Sequence, residues 1–192
     1  MQFIQTADAE LIQAFARGNE RALEVLINRH KDKIYTSVYM LVKDKYLAED
    51  IFQDTFLKII RTIKDGRYSE QGKFLPWAVR VAHNLCMDYF RKMKVQVPVV
   101  FTDGSDISYL FSNYETGADR MEKRQTEDSV RKLIEELPDD QREVIVLRMY
   151  ADLSFKEIAE LTGVSINTAL GRMRYALINL RKFIREQQLV LR

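Results

Sequence analysis

The sequence predicts an all-α fold made of two small helical domains joined by an irregular acidic linker. Apolar residues recur at helical spacing along most of the 192 residues, and no run alternates apolar and polar residues long enough to indicate a sheet. Only seven glycines and three prolines are present, which favours helices over a turn-rich sandwich. With 46% hydrophobic residues, the chain has enough apolar material for packed cores.

Four helices are expected in the first domain, residues 1–94. The first ends before Gly18, and the others span about 20–42, 47–63 and 76–93. A loop at 67–73 separates the third helix from the fourth. Pro76 lies where the first turn of a helix tolerates proline, because that turn leaves its amide groups without helical partners.

Helical periodicity fails at residues 95–117, which we expect to be the linker. This stretch is acidic and also contains the aromatic residues Phe101, Tyr109, Phe111 and Tyr114. Two interpretations stay open: a flexible tether, and a segment that lies along a partner. Helical spacing returns at about 118–137, stops at Pro138 and restarts at Asp139, so the second domain is expected to span residues 118–192.

Residues 154–175 have the pattern of a helix-turn-helix. Ser154 and Glu157 are spaced as a capping box, Gly163 suits a left-handed helix end, and Ser165 lies where a second helix needs a cap. The apolar residues of the second helix are predicted to share one inward face: Ile166, Ala169, Leu170, Met173, Ala176, Leu177 and Leu180. Polar side chains on the rest of that helix could read duplex DNA in the major groove. A packed helical hairpin with a solvated polar face is the alternative.

Charge and cysteine content limit the possible functions. The formal net charge is only +2, but residues 73–94 carry five basic residues against one acid, and residues 154–192 carry seven against three. The intervening stretch at 100–128 has seven acids against three basic residues. A single cysteine and two histidines give no internal disulfide and no zinc set, so no metal or cofactor is expected. No apolar leader or membrane-length segment is visible, so we expect a cytoplasmic protein without membrane insertion.

The third helix has a charged outward face with an apolar residue at its centre. The face consists of Asp50, Gln53, Asp54, Leu57, Arg61 and Lys64. Leu57 among charges is typical of a protein contact with a polar rim, although single exposed leucines are common. Glu49, Asp50 and Asp54 could form a metal or catalytic site, but no histidine accompanies them, and a solvated face is the favoured interpretation.

The fourth helix carries polar residues at three- and four-residue steps that could follow a phosphate backbone: Arg80, Asn84, Met87, Arg91 and Lys94. Tyr68, Phe74 and Trp77 near its start could stack on unpaired bases. The alternative places Phe74 and Trp77 in the core. His30, His83 and Cys86 are expected to be structural.

These segments resemble the extracytoplasmic-function, or group IV, sigma factors of bacterial RNA polymerase. AEDIFQDTFLKII at 48–60 is similar to their region 2.2, and KFLPWAVRVAHNLCMDYFRK at 73–92 to regions 2.3 and 2.4. LPDDQREVIVLRMYADLSFKEIAELTGVSINTALGRMRYAL at 137–177 resembles region 4. The three occur in the family's order with an acidic linker between the second and third, which makes the resemblance specific.

The resemblance implies a transcription initiation factor with no catalytic residues. Its partners would be core RNA polymerase, through the beta-prime clamp helices and the beta flap, promoter DNA and an anti-sigma factor. Asp50, Gln53, Asp54, Leu57 and Arg61 would bind polymerase. The −10 element would be melted and held by Tyr68, Lys73, Phe74, Arg80, Asn84 and Arg91. The −35 duplex would be read by Ser165, Asn167, Thr168, Gly171, Arg172, Arg174 and Tyr175.

One departure from the family pattern affects the −35 assignment. Where many relatives have a TVKSR-like run, this chain has TALGR, with Leu170 in place of a basic residue and Gly171 in place of serine or threonine. The −35 specificity therefore does not carry over. Two other functions stay open: a stand-alone repressor or activator, for which no dimer face is visible, and a helical nuclease using Glu49, Asp50 and Asp54.

Overall fold

The computed structural model describes residues 6–69, 72–96 and 129–187, and the regular secondary structure in these ranges is entirely helical. The all-α prediction is confirmed. The chain divides into two compact units, the first containing residues 6–96 with 150–152 and the second containing 129–149 and 153–187. The predicted linker at 95–117 lies almost wholly outside the described residues, so the boundaries 1–94 and 118–192 stay predictions.

The first unit contains the four predicted helices. They are α1 (Asp8–Ala16), α2 (Glu20–Val42), α3 (Lys45–Lys64) and α4 (Phe74–Gln96). The third begins two residues before its predicted start, because the Asp44 carboxylate accepts a hydrogen bond from the Leu47 amide at 2.9 Å and caps the helix there. Pro76 lies in the first turn of α4, as the sequence predicts.

The central helix of this unit is α2, which packs against α1, α3 and α4. Nine consecutive residues from Ile34 to Val42 are buried, so the end of the helix is covered on all sides. Thr36 and Ser37 are also buried there. A buried hydroxyl in a helix can donate to a backbone carbonyl of the preceding turn, as the Ser37 hydroxyl does to the Lys33 carbonyl at 2.7 Å. This packing leaves the outer faces of α3 and α4 available to partners.

The second unit contains a helix at 129–135 (α5), then α6 (Asp139–Met149), α7 (Phe155–Thr162) and α8 (Ile166–Glu186). The central element is α6, whose four consecutive residues Val144–Leu147 are buried against α7 and α8. Arg142 is also buried, and its guanidinium donates to the Leu137 carbonyl at 3.0 Å and to Asp139 at 2.6 Å. Arg142 therefore supplies a hydrogen-bond donor to a backbone carbonyl just after the end of α5.

Among the described residues, none of the helices combines the length and the apolar character that crossing a membrane requires.

Candidate protein- and nucleic-acid-binding surfaces

The outward face of α3 lies opposite the core, as predicted. Its buried side presents Ile51, Phe56, Ile59 and Ile63 to the other helices. On the outer side Asp50, Gln53, Asp54 and Arg61 are exposed, and the Leu57 side chain is 51% exposed. An accessible leucine surrounded by charged side chains has the composition of an interface centre with a polar rim. What this face binds stays a prediction.

The carboxylates of α3 do not converge on a site. Asp50 and Asp54 point outward with the rest of the face, and Glu49 is half-buried. In the described part of the chain, no group of three or more histidine, cysteine, aspartate or glutamate side chains is arranged to hold a metal ion.

An aromatic cluster joins the loop before α4 to the helix itself. The Tyr68 ring lies 4.4 Å from the Trp77 ring and 6.4 Å from the Phe74 ring, measured between centroids, and Phe74 lies 5.9 Å from Trp77. Tyr68 and Trp77 are half-buried, so part of each ring faces solvent. Residues 70–71 of this loop lie outside the described residues. The cluster fixes the described end of the loop against the start of α4.

Phe74 occupies the core and not the surface predicted for a DNA contact. Its side chain is 2% exposed and packs against the His30 ring at 5.3 Å as well as the two neighbouring aromatic rings. A ring buried in this way cannot stack on a base unless it leaves the core, so its assigned contact with the −10 strand is not supported. The alternative interpretation of Phe74 is the one the structure favours, because the loop needs an apolar anchor.

The polar stripe of α4 is present on the helix surface. Asn84 and Arg91 are exposed, Arg80 is half-buried, and Lys73 is exposed just before the helix. The Arg91 guanidinium donates to the Asp88 carboxylate at 2.8 Å, one turn earlier on the same helix. Arg91 is three-quarters exposed, so this pair is weak and leaves the guanidinium available to a phosphate.

The two histidines and the cysteine pack into the first unit. His30 Nε2 lies 2.7 Å from an Asp8 carboxylate oxygen; burial lowers the pKa of His30 below 6.5, and Asp8 opposes this only in part. Burial raises the pKa of the Cys86 thiol to about 12, so it stays protonated at neutral pH. His83 is 2% exposed on the same helix. Their positions agree with the structural role expected for them.

The helix-turn-helix forms with the caps that the sequence predicts. The Ser154 hydroxyl accepts from the Glu157 amide at 3.3 Å, while a Glu157 carboxylate oxygen accepts from the Ser154 amide at 2.8 Å. Gly163 ends α7 in the left-handed region, at φ 69°. The Ser165 hydroxyl then accepts from the Thr168 amide at 3.0 Å and starts α8. These local bonds set the turn between the two helices.

The first turns of α8 present most of the predicted −35 residues to solvent. Asn167, Thr168, Arg174 and Tyr175 are exposed, and the Tyr175 side chain is 62% exposed. Ser165 is exposed too, although its hydroxyl serves the helix cap. Gly171 is half-buried, and apart from its chain neighbours and the backbone of its own helix, no atom lies within 4 Å of where its Cβ would be.

Arg172 differs from the other predicted −35 residues because it has an acidic partner. Its Nε lies 3.3 Å from an Asp140 carboxylate oxygen at the start of α6, and its side chain is only 25% exposed. The sequence alone does not predict that these two residues lie close together. A phosphate or base edge would have to compete with Asp140 for this guanidinium.

The apolar face predicted for α8 is buried only in part. Ala169 and Ala176 are buried, but Ile166, Leu170 and Leu177 keep between 41% and 46% of their surface exposed, so the prediction of one inward face is wrong for them. The reason is that α6 and α7 cover a single side of a helix 21 residues long. A groove of about 440 Å³ results, lined by Phe155, Leu170, Met173, Arg174, Leu177, Ile178 and Arg181.

Sequence reasoning missed this groove, although one signal was available. Leu170, Leu177 and Ile184 are spaced by seven residues, which places them on nearly one line of the helix, and Arg174 and Arg181 follow a parallel line. Spacing alone could not show that the line lies at the edge of the packed face.

Two family models match the chain in the order of its two units. The model for sigma-70 region 2 matches residues 26–95, and the model for sigma-70 region 4 matches residues 127–175. The first match contains α3 and almost all of α4, and the second contains the helix-turn-helix through Tyr175.

Similar full-length proteins are sigma factors. The extracytoplasmic-function RNA polymerase sigma factor SigW of Bacillus subtilis is 29% identical over 91% of this chain and 95% of its own length. The RNA polymerase sigma factor CarQ of Myxococcus xanthus is 30% identical over 93% of this chain and 98% of its own length.

Solved structures support the fold. CnrH, in complex with the cytosolic domain of CnrY, is 24% identical, with a TM-score of 0.61 over 94% of this chain and 99% of CnrH. The sigma factor RpoE of Bartonella quintana, in complex with the anti-sigma factor NepR, is 20% identical, with a TM-score of 0.63 over 85% of this chain and 96% of RpoE.

Proposed function

This chain belongs to the extracytoplasmic-function group of the sigma-70 family, and on that premise we propose which surface of the molecule serves each step of transcription initiation. The protein is a sigma factor that binds core RNA polymerase and directs it to specific promoters. The observation that carries this function is the presence of region 2 at 26–95 and region 4 at 127–175 in one chain.

The first domain, residues 1–94, binds polymerase through the outward face of α3. The beta-prime clamp helices are the proposed partner, with the exposed Leu57 at the centre and Asp50, Gln53, Asp54 and Arg61 around it. Apolar side chains in the centre of a contact supply most of the binding free energy, whereas exposed charges at the rim mainly set orientation and association rate.

The loop at 67–73 and the surface of α4 hold the melted −10 element. Keeping a base out of the stack costs a few kcal/mol, which contacts with the extruded base and its strand must offset. The exposed Asn84 side chain supplies hydrogen-bonding groups, Tyr68 a partly accessible ring, and Lys73, Arg80 and Arg91 positive charge for the phosphates. Phe74 supports this surface from the core.

The second domain, residues 118–192, reads the −35 element as duplex DNA through the start of α8. Asn167, Thr168 and Arg174 are exposed near its capped end, where side chains can enter the major groove, and Tyr175 extends the same surface. Ser165, Gly171 and Arg172 complete the proposed site. The beta flap is the proposed polymerase partner of this domain, and the segment at 95–117 connects the two domains.

The protein has no catalytic chemistry of its own and acts in the cytoplasm, where its polymerase is. A sequestering protein of the anti-sigma kind is a further partner; in its solved structure, RpoE of Bartonella quintana is bound by such a protein.

The experiment that tests this function is transcription in vitro with core RNA polymerase on a library of genomic fragments, with and without the protein. We expect new transcript starts that share paired upstream motifs. Folded protein that yields no new starts with active core would contradict the proposal and favour a stand-alone regulator.

The polymerase-binding face has its own test in Leu57→Glu. A carboxylate at the centre of an apolar contact loses the packing and leaves a desolvated charge, so we expect the affinity for core to fall by at least about tenfold. Affinity is measured by titrating labelled protein with core polymerase. Lys58→Glu is the control, because it adds a carboxylate at the adjacent exposed position outside the face and makes an even larger change in net charge. Equal affinity of Leu57→Glu and the unaltered protein would refute the face assignment.

A further inference from the structure

Two large apolar side chains are exposed in the described part of the first unit, and both belong to α3. They are Leu57, 51% exposed, and Tyr46, 77% exposed. The Tyr46 ring contributes little to the core, so packing within the unit does not account for it. Isolated exposed apolar residues are common on protein surfaces.

Tyr46 and Leu57 lie on the same line of the helix. Eleven residues separate them, and at about 100° per residue their directions differ by only about 20°. At a rise of 1.5 Å per residue they are about 16 Å apart along the axis. Asp50 falls between them within about 20° of Leu57, on the face already described. The polymerase-binding face therefore continues to the first turn of α3.

We propose that Tyr46 is a second apolar anchor of the polymerase-binding face and contacts the same helical element of core RNA polymerase as Leu57. This inference rests on the proposed function of that face. A partner helix that meets α3 at Leu57 with a crossing angle near 20° drifts sideways by only about 6 Å at Tyr46, within reach of a tyrosine. At about 50° the drift would be about 19 Å and contact would be lost.

The start of α3 defines the backbone conformation around Tyr46. Asp44 caps the helix through the Leu47 amide at 2.9 Å, and Lys43 before it ends α2 in the left-handed conformation, at φ 55°. The turn that carries Tyr46 is thus defined from both sides before a partner binds. A tyrosine on a rigid turn buries a large ring on binding while losing little conformational entropy, which explains its frequency among the residues that dominate interfaces.

The test compares Tyr46→Ala with Tyr46→Phe in the full chain. We expect Tyr46→Ala to weaken binding of core polymerase about tenfold and Tyr46→Phe to stay within about threefold of the unaltered protein, because the ring supplies the contact. Lys58→Ala, on the same helix but about 100° from Leu57, should bind as the unaltered protein does. Thermal unfolding controls for structure, since truncating a side chain 77% exposed leaves no internal cavity.

A second measurement identifies the element that is touched. With p-benzoylphenylalanine at position 46, irradiation of the complex should cross-link the protein to the beta-prime clamp helices, and the same probe at position 58 should not. Unchanged affinity of Tyr46→Ala for core polymerase, or cross-links to another part of the polymerase, would overturn the inference about Tyr46. The proposed function of the face would still stand if Leu57→Glu bound core polymerase more weakly than the unaltered protein. If Leu57→Glu and Tyr46→Ala both bind core normally, the face assignment itself is wrong.

Discussion

Arg172 pairs with an acid inside the protein and is also a proposed contact with the −35 duplex. In the free protein its Nε lies 3.3 Å from Asp140, which is half-exposed at the start of α6. If Arg172 contacts the −35 duplex, Asp140 competes with DNA for it. A partly exposed ion pair of this kind is worth roughly 0.2–1 kcal/mol, so the competition should be measurable but small.

We therefore expect Asp140→Asn to raise the affinity of the protein for its −35 duplex by about 1.4- to fivefold. The measurement is a titration of duplex containing the mapped −35 motif, at one fixed salt concentration because phosphate contacts depend on salt. Removing any acid near DNA raises affinity to some extent, so the same change is made in an Arg172→Ala background. The gain should disappear there. A gain of equal size in both backgrounds would mean that Arg172 does not take part.

The local sequence pattern predicts the exposure of some side chains but not of others. Leu57 is exposed as expected, because its direction on the helix follows from its spacing relative to Ile51, Phe56 and Ile59. Phe74 is buried although the sequence also allowed an exposed ring. Its ring packs against that of His30, 44 residues earlier in the chain, and no local pattern predicts this contact.

At the scale of the element, two glycines of the helix-turn-helix have opposite structural roles. Gly163 ends α7 at φ 69°, a conformation that costs an L-residue about 1–2 kcal/mol. Gly171 lies inside α8, where alanine is more favourable than glycine by about 0.5–1 kcal/mol. Outside its chain neighbours and the backbone of its own helix, a Cβ there would meet no atom within 4 Å.

Gly163→Ala should lower the free energy of unfolding of the second domain by about 1 kcal/mol, and Gly171→Ala should raise it by about half as much or more. Urea unfolding followed by circular dichroism measures both changes. The pair is its own control, because each variant adds the same methyl group to the same motif. A loss of stability in Gly171→Ala would show that the helix is strained at that position.

Gly171→Ala also separates stability from recognition. If Gly171 admits the DNA backbone at close range, the variant should bind the −35 duplex more weakly even though its fold is more stable. Binding equal to that of the unaltered protein would remove Gly171 from the proposed site.

At the scale of the whole molecule, each unit has its own core. The first has Leu11, Leu26, Ile34, Met40 and Ile59 fully buried, and the second has Leu133, Leu147, Leu153 and Ile158 fully buried. Because each set is enclosed within one unit, we expect fragments 1–94 and 118–192 to unfold cooperatively on their own.

The fragments also test the division of roles. Fragment 1–94 should bind core polymerase, and an equimolar mixture of the two fragments should fail to restore transcription at the level of the intact chain, since the covalent link supplies effective concentration. Thermal unfolding and promoter-dependent transcription measure these outcomes. Fragment 1–94 without cooperative unfolding would contradict the boundary at 94, and full activity of the mixture would contradict the need for the link.

By itself, the sequence determined the helical class, the four helices of the first unit and the caps of the helix-turn-helix. These depend on residues within one or two turns of each other, such as Ser154 with Glu157, and the energetics of a capping bond or of a left-handed glycine are local. The order of its motifs also determined the family, which the two matched regions confirm.

Only the tertiary structure decided which apolar residues are enclosed. Leu170 and Leu177 have the spacing of a buried face and stay partly exposed, Phe74 is covered, and Arg172 meets Asp140. The physical reason is that burial and ion pairing depend on which distant elements arrive at a given surface. A periodic pattern gives the direction of a side chain on its own helix, but the area that neighbouring helices cover is set by their lengths and packing.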